Sequence, residues 1–184
     1  MSRRNEVVDR DHGWAAMQRR LREARSAYAK VGVLGDQEEG ESGLSVGEIA
    51  AVQEFGTEDG SIPARPFVRP TFDRQREHLA SLAAKLLGEV LDGHLTVDGA
   101  LGVLGADLAA SIRATITAGV PPPNAPSTAL AKAKKGRTSR LFRSPARTVG
   151  HALAQVGALS SVKTLIDTGR MLGSVTWEVV TGRS

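Results

Sequence analysis

The chain has 184 residues, 41% hydrophobic and 24% charged, the composition of one soluble globular domain of ordinary size rather than a disordered tail or a membrane protein. Cysteine is absent, which removes disulfides, thiolate metal sites and thiol nucleophiles together. The net charge of +4 hides a separation of sign: nine Lys and Arg with no acid between Leu108 and Ile166, and eight acids with no base between Asp36 and Asp59. Such separation fits either two solvated loops or two surfaces with different neighbours.

In chain order, the first predicted element is a helix over residues 12–29, where Trp14, Met17, Leu21, Ala24 and Tyr28 recur at helical spacing with arginines opposite. The basic N-terminus has no apolar run behind it, so a cytosolic product without a secretory leader is expected. No uninterrupted apolar stretch reaches the roughly 18 residues a membrane span needs. Lys30–Gly35 reads as a short strand through Val31 and Val33. An acidic, Gly-rich loop follows. Ser45–Glu54 reads as a short helix, with Ser45 and Glu48 at capping-box spacing and Gly56 as the stop. Residues 57–70 are proline-rich and are expected to form an ordered loop.

Arg74–Leu91 carries Leu79, Leu82, Ala83, Leu86, Leu87 and Val90 on one stripe, a strong amphipathic helix. Asp92, Gly93 and His94 break it. Thr96 caps the next helix, which runs through Leu101, Leu104, Leu108, Ile112 and Ile116 to Gly119, so the two form an αα-hairpin. The run of prolines from Pro121 cannot be helical. Residues 136–163 have little apolar periodicity and read as a mobile basic insertion, with a helical turn or two expected over His151–Leu159. Asp167 or Thr168 is placed to cap a last short helix. Ser174–Val180 alternates Val175, Trp177 and Val179 against Thr176, Glu178 and Val180, a strand fit to pair with Lys30–Gly35. The fold class expected is α+β in a single domain: amphipathic helices on a small, mostly antiparallel sheet.

Catalysis finds little support. His12, His78, His94 and His151 form no zinc-protease pair, and a Walker loop and a nucleophile elbow are missing. Asp98 and Asp107 share one helix, but too far apart for a carboxylate dyad, and read as solvated charges. No enzyme, metal or cofactor is expected. The basic segment suits phosphate neutralisation, with Phe142 as its one aromatic and hence no stacking platform.

Two passages are more particular. Glu48 to Thr57, containing Glu54-Phe55-Gly56-Thr57, is followed by Ile62-Pro63-Ala64-Arg65-Pro66-Phe67-Val68-Arg69-Pro70. Downstream stand Pro122-Pro123-Asn124-Ala125-Pro126-Ser127-Thr128 and then Leu165-Ile166-Asp167-Thr168-Gly169-Arg170-Met171-Leu172. In this order the set resembles the tail-completion, or neck, proteins of long-tailed bacteriophages, over about residues 30–180. It departs from their pattern in the long stretch Gly136–Lys163 and in having Trp177 where Tyr is usual.

The resemblance implies a small structural virion protein that completes the tail and joins it to the DNA-filled head. It implies a homo-oligomeric ring, a hexamer by preference, that contacts adaptor and terminator rings and surrounds genomic DNA. The protein would be made in the bacterial host cytoplasm and reside in the virion neck, with no membrane partner. The interface candidates are then Glu54, Phe55, Ile62, Pro63, Arg65, Pro66, Phe67, Arg69, Asp167 and Arg170. The prolines stiffen their loop, so docking Phe67 and the arginines costs little entropy. The competing reading is that Phe67 plugs its own core, the arginines cap nearby carbonyls, and Asp167 caps a helix. Candidates facing the DNA channel are Lys132, Lys134, Lys135, Arg137, Arg140, Arg143 and Arg147. Alternatives are a tail terminator, a head-side adaptor or, in another class, a nonspecific DNA-binding protein using that basic segment.

Overall fold

The computed structural model describes residues 12–34, 43–124 and 170–182. The elements run α1 (Trp14–Ser26), β1 (Tyr28–Val33), α2 (Val46–Phe55), α3 (Arg69–Asp92), α4 (Val97–Ala118), α5 (Arg170–Ser174) and β2 (Val175–Val180). The class is α+β. The region 136–163, including the turns expected at His151–Leu159, and the caps expected at Asp167 and Thr168 lie outside the described residues.

α1 stops short of the predicted 29. Ala27 is extended at φ −103° and ψ 147°, and Tyr28 already belongs to β1. The same valines that mark the strand pull Tyr28 and Ala29 into it, because strand pairing satisfies backbone groups that another helical turn would satisfy only locally. α1 buries no residue completely. Its Arg20 reaches across to the end of α3, donating to the Leu91 carbonyl at 2.8 Å.

α2 forms as its sequence predicts. Glu48 N–H donates to Ser45 Oγ at 3.2 Å, and Ser45 N–H returns a bond to Glu48 Oε2 at 2.8 Å. This reciprocal cap holds the Glu48 carboxyl below its ordinary pKa, first through the Ser45 backbone and then through its hydroxyl. α3 starts five residues earlier than predicted, at Arg69. Pro70 does not block it, since a proline in the first helical turn gives up a hydrogen bond no helix would make there. α4 begins where expected, with Thr96 Oγ1 accepting from Gly99 N–H at 3.1 Å.

β1 and β2 pair antiparallel from Tyr28↔Val180 to Val33↔Val175. One face of this two-stranded sheet lies on α4. The other carries Tyr28 and the exposed pair Lys30–Glu178, 3.6 Å apart. The core joins Val46 and Ala50 of α2, Phe67 of the loop, Ala109, Ile112 and Ile116 of α4, Val120, Met171 and Val175. A smaller cluster of Val90, Val97 and Ala100 closes the α3–α4 turn against Ala24 and Ala27. The stripe predicted on α3 is only partly covered: Val90 is buried, whereas Leu87 remains 40% exposed.

By length and composition alone α4 is apolar enough to cross a membrane, although Asp98, Asp107 and Arg113 interrupt its apolar run, as the sequence leads one to expect. In this fold its Ala109, Ile112 and Ile116 are wholly enclosed.

Candidate interface site

Val46, Ala50 and Glu54 fall at successive i, i+4 positions, so one stripe of α2 carries two core residues and then a carboxylate. That stripe aims Glu54 at the start of α3. Its Oε2 accepts from Phe67 N–H at 2.7 Å and Val68 N–H at 3.0 Å, and its Oε1 from Arg69 N–H at 3.1 Å. The first amides of a helix lack intrahelical partners and carry partial positive charge. Val68, at the cap position, supplies no side-chain cap of its own. Glu54 therefore caps α3 from a different helix.

Arg65 is the counterpart. It is 7% exposed, with Nε donating to the Pro122 carbonyl at 2.9 Å and Nη2 to Pro123 at 3.3 Å. Nη1 donates to Gln53 Oε1 at 3.3 Å, while Arg65 N–H donates to the Gln53 carbonyl at 2.7 Å. One planar guanidinium thus ties α2, the loop and the proline run after α4. These three segments are the ones that carry the sequence resemblance up to residue 124.

The loop between them is fastened internally. Thr57 N–H donates to the Ile62 carbonyl and Ile62 N–H to Thr57 Oγ1, both at 3.0 Å. Asp59 accepts from Ser61 N–H at 3.1 Å and Ser61 Oγ at 2.9 Å. Its carboxyl is held below the ordinary value, chiefly by the Thr57 hydroxyl and then by the Ser61 backbone. Gly56 sits at φ +76°, and a Cβ there would stand 2.8 Å from Ala64 N and 2.9 Å from Ile62 O. Only glycine fits where the loop doubles back on its helix.

The interface candidates therefore divide. Phe67, 1% exposed, plugs its own core, and Arg65 caps carbonyls. Glu54 is likewise engaged within the chain, so these three hold the site together. Phe55, Pro63, Pro66 and Arg69 face outward, with Phe55 68% exposed, and Ile62 is half-buried. Arg170 is exposed at the start of α5. Asp167 and the channel candidates Lys132, Lys134, Lys135, Arg137, Arg140, Arg143 and Arg147 lie outside the described residues. Sequence reasoning missed Gln53 and the Pro122 and Pro123 carbonyls, which are reached only through tertiary contact. It also missed Phe72, exposed one turn along α3 from Val68, which that i, i+4 spacing could have flagged.

Beside this corner lies an open, largely apolar groove of about 600 Å³, walled by Ala29, Val31 and Val33 of β1, Ala51 and Phe55 of α2, and Val68 and Phe72, with Leu108 of α4 also lining it. Among the described residues no group of three His, Asp or Glu could hold a metal. His78 meets Asp107 and His94 meets Glu89, each at 3.1 Å on exposed helix surface. The groove offers apolar area, aromatic rims and a strand edge. Comparison with protein-family models, curated proteins and solved structures gives no match to this chain.

Proposed function

We propose that the chain is a structural protein of the phage neck, completing the tail and joining it to the DNA-filled head as part of a ring around the DNA channel. The observation that supports this reading is the convergence of the motif segments. Residues 53–57, 62–70 and 122–123 are far apart in sequence, yet Glu54 and Arg65 bind them into one corner. That corner is stiffened by proline and by partly buried hydrogen bonds, and it sets Phe55, Pro63, Pro66 and Arg69 on its outside. A rigid surface with an aromatic anchor loses little freedom on docking, as an assembly subunit requires.

The test is electron microscopy of lysates from a phage with an early stop codon in this gene. Full heads beside detached tails of normal length are expected. Tails of uncontrolled length would assign the protein to tail termination. Intact infectious particles would overturn a required neck role and favour nonspecific DNA binding through the basic segment.

A further inference from the structure

The groove is bounded by a strand edge, and the register says which backbone groups that edge presents. Leu34 N–H donates to the Ser174 carbonyl at 3.3 Å. In an antiparallel ladder hydrogen-bonded pairs alternate, so Gly32/Thr176 and Lys30/Glu178 also bond across the sheet. It follows that Ala29, Val31 and Val33 aim their N–H and C=O groups outward from β1, and Val175, Trp177 and Val179 aim theirs outward from β2. The Arg113 guanidinium takes the Val175 carbonyl. The remaining outward groups have no hydrogen-bond partner among the described residues. Neither edge carries the proline or bulge that would discourage pairing, and a two-stranded sheet is a marginal unit by itself.

We infer that the β1 edge receives the β2 edge of a second copy of this chain, head to tail, so that the sheet continues from subunit to subunit. Two features choose this occupant. On the open face β1 presents a single charge, Lys30, and β2 presents a single charge, Glu178. Joining unlike edges sets lysine toward glutamate, whereas two-fold pairing of like edges sets lysine toward lysine or glutamate toward glutamate, which disfavours a sheet. On the covered face, a strand laid along β1 must place apolar residues over Val68, Phe72 and Leu108. On that face of β2 Val175 is enclosed in its own core, so the residues it can bring are Trp177, 38% exposed in the single chain, and the half-buried Val179. A contact between unlike patches propagates, and it closes into a ring when its rotation permits. The inference rests on the ring reading for that closure alone.

The experiment mixes charge-reversed copies and reads assembly mass by native mass spectrometry. Lys30→Glu alone and Glu178→Lys alone should each raise the concentration needed for assembly at least threefold. An equimolar mixture should restore it, because every junction is again between opposite charges. Should Glu178→Lys assemble as readily as wild type, or the mixture show no rescue, the head-to-tail contact is wrong.

Cross-linking gives a second readout that does not depend on the charge effect, since the chain has no cysteine of its own. Lys30→Cys mixed with a size-tagged Glu178→Cys should yield a disulfide-linked pair of mixed size, well above either variant alone or a Lys85→Cys control. Links within one variant, or none, overturn the inference. Wild-type chain forming a closed oligomer without the mixed link leaves the ring and removes the edge contact. The mixed link in an assembly that grows without closing retains the contact and removes the ring.

Discussion

Replacing Glu54 with alanine tests the corner directly. The substitution strips acceptors from three amides at the start of α3. Phe67 is enclosed, so water cannot readily replace its lost partner, and Val68 is half-buried, whereas Arg69 N–H can be rehydrated. A hydrogen bond to a charged acceptor contributes about 1.5–3 kcal/mol, and an unsatisfied buried donor costs about 1–3 kcal/mol. Counting the Phe67 bond nearly in full, the Val68 bond in part and the Arg69 bond scarcely at all gives about 2–4 kcal/mol. That is a large share of the roughly 5–15 kcal/mol that stabilises a domain. Glu54→Gln keeps one carbonyl oxygen for Phe67 and Val68 but turns an NH₂ toward Arg69 and removes the charge, so about half that loss is expected. Urea unfolding followed by far-ultraviolet circular dichroism reads both, as a lower midpoint at unchanged slope. If Glu54→Ala unfolds within about 0.5 kcal/mol of wild type, the carboxylate is not the cap of α3 and the account of the corner fails.

Gly56→Ala should cost about 2 kcal/mol or more by the same assay, since its Cβ meets the backbone of Ile62 and Ala64 at a positive φ. Gly105→Ala should displace Trp177, whose ring carbon lies 2.7 Å from where the new Cβ would stand, and a shift in tryptophan emission measured against a Trp14→Phe background would show it. Phe55→Ser should leave unfolding within about 0.5 kcal/mol of wild type, because the ring is 68% exposed, yet weaken assembly in native mass spectrometry. Asp59 and Glu48 both have lowered folded pKa values, so the stability they contribute is present above their unfolded pKa values and is lost as pH falls through the folded ones. An Asp59→Asn variant should accordingly lose part of the acid dependence of the urea midpoint.

Features set by near neighbours were legible in the sequence. The Ser45–Glu48 cap, the Thr96 cap and the alternation in β2 each depend on residues two or three apart, and each stands as read. The errors fall where two local patterns competed. Tyr28 fits the helical spacing of Leu21 and Ala24 but also the alternation with Val31 and Val33, and only pairing with Val180 decides between them. Pro66 and Pro70 resemble helix breakers, yet Pro70 occupies the one turn that tolerates it. The candidate site was legible as a set of residues but not as a division of labour. Glu54 caps amides 13 to 15 residues away, and Arg65 reaches carbonyls 57 and 58 residues away, distances over which no spacing rule operates.

The pairing of β1 with β2 joins positions near opposite ends of the described chain, and this has a consequence for the order of folding. The α3–α4 hairpin uses local contacts and can form early, whereas the sheet must wait until β2, far downstream of β1, has been made. Until β2 arrives, Val31 and Val33 lack the strand they pair with. An unfinished polypeptide thus offers β1 without its neighbour and cannot display the outer edge of β2 at all. On the edge-to-edge contact proposed above, synthesis through β2 becomes a condition for presenting both edges, and chains that stop before it would end a growing assembly rather than extend it.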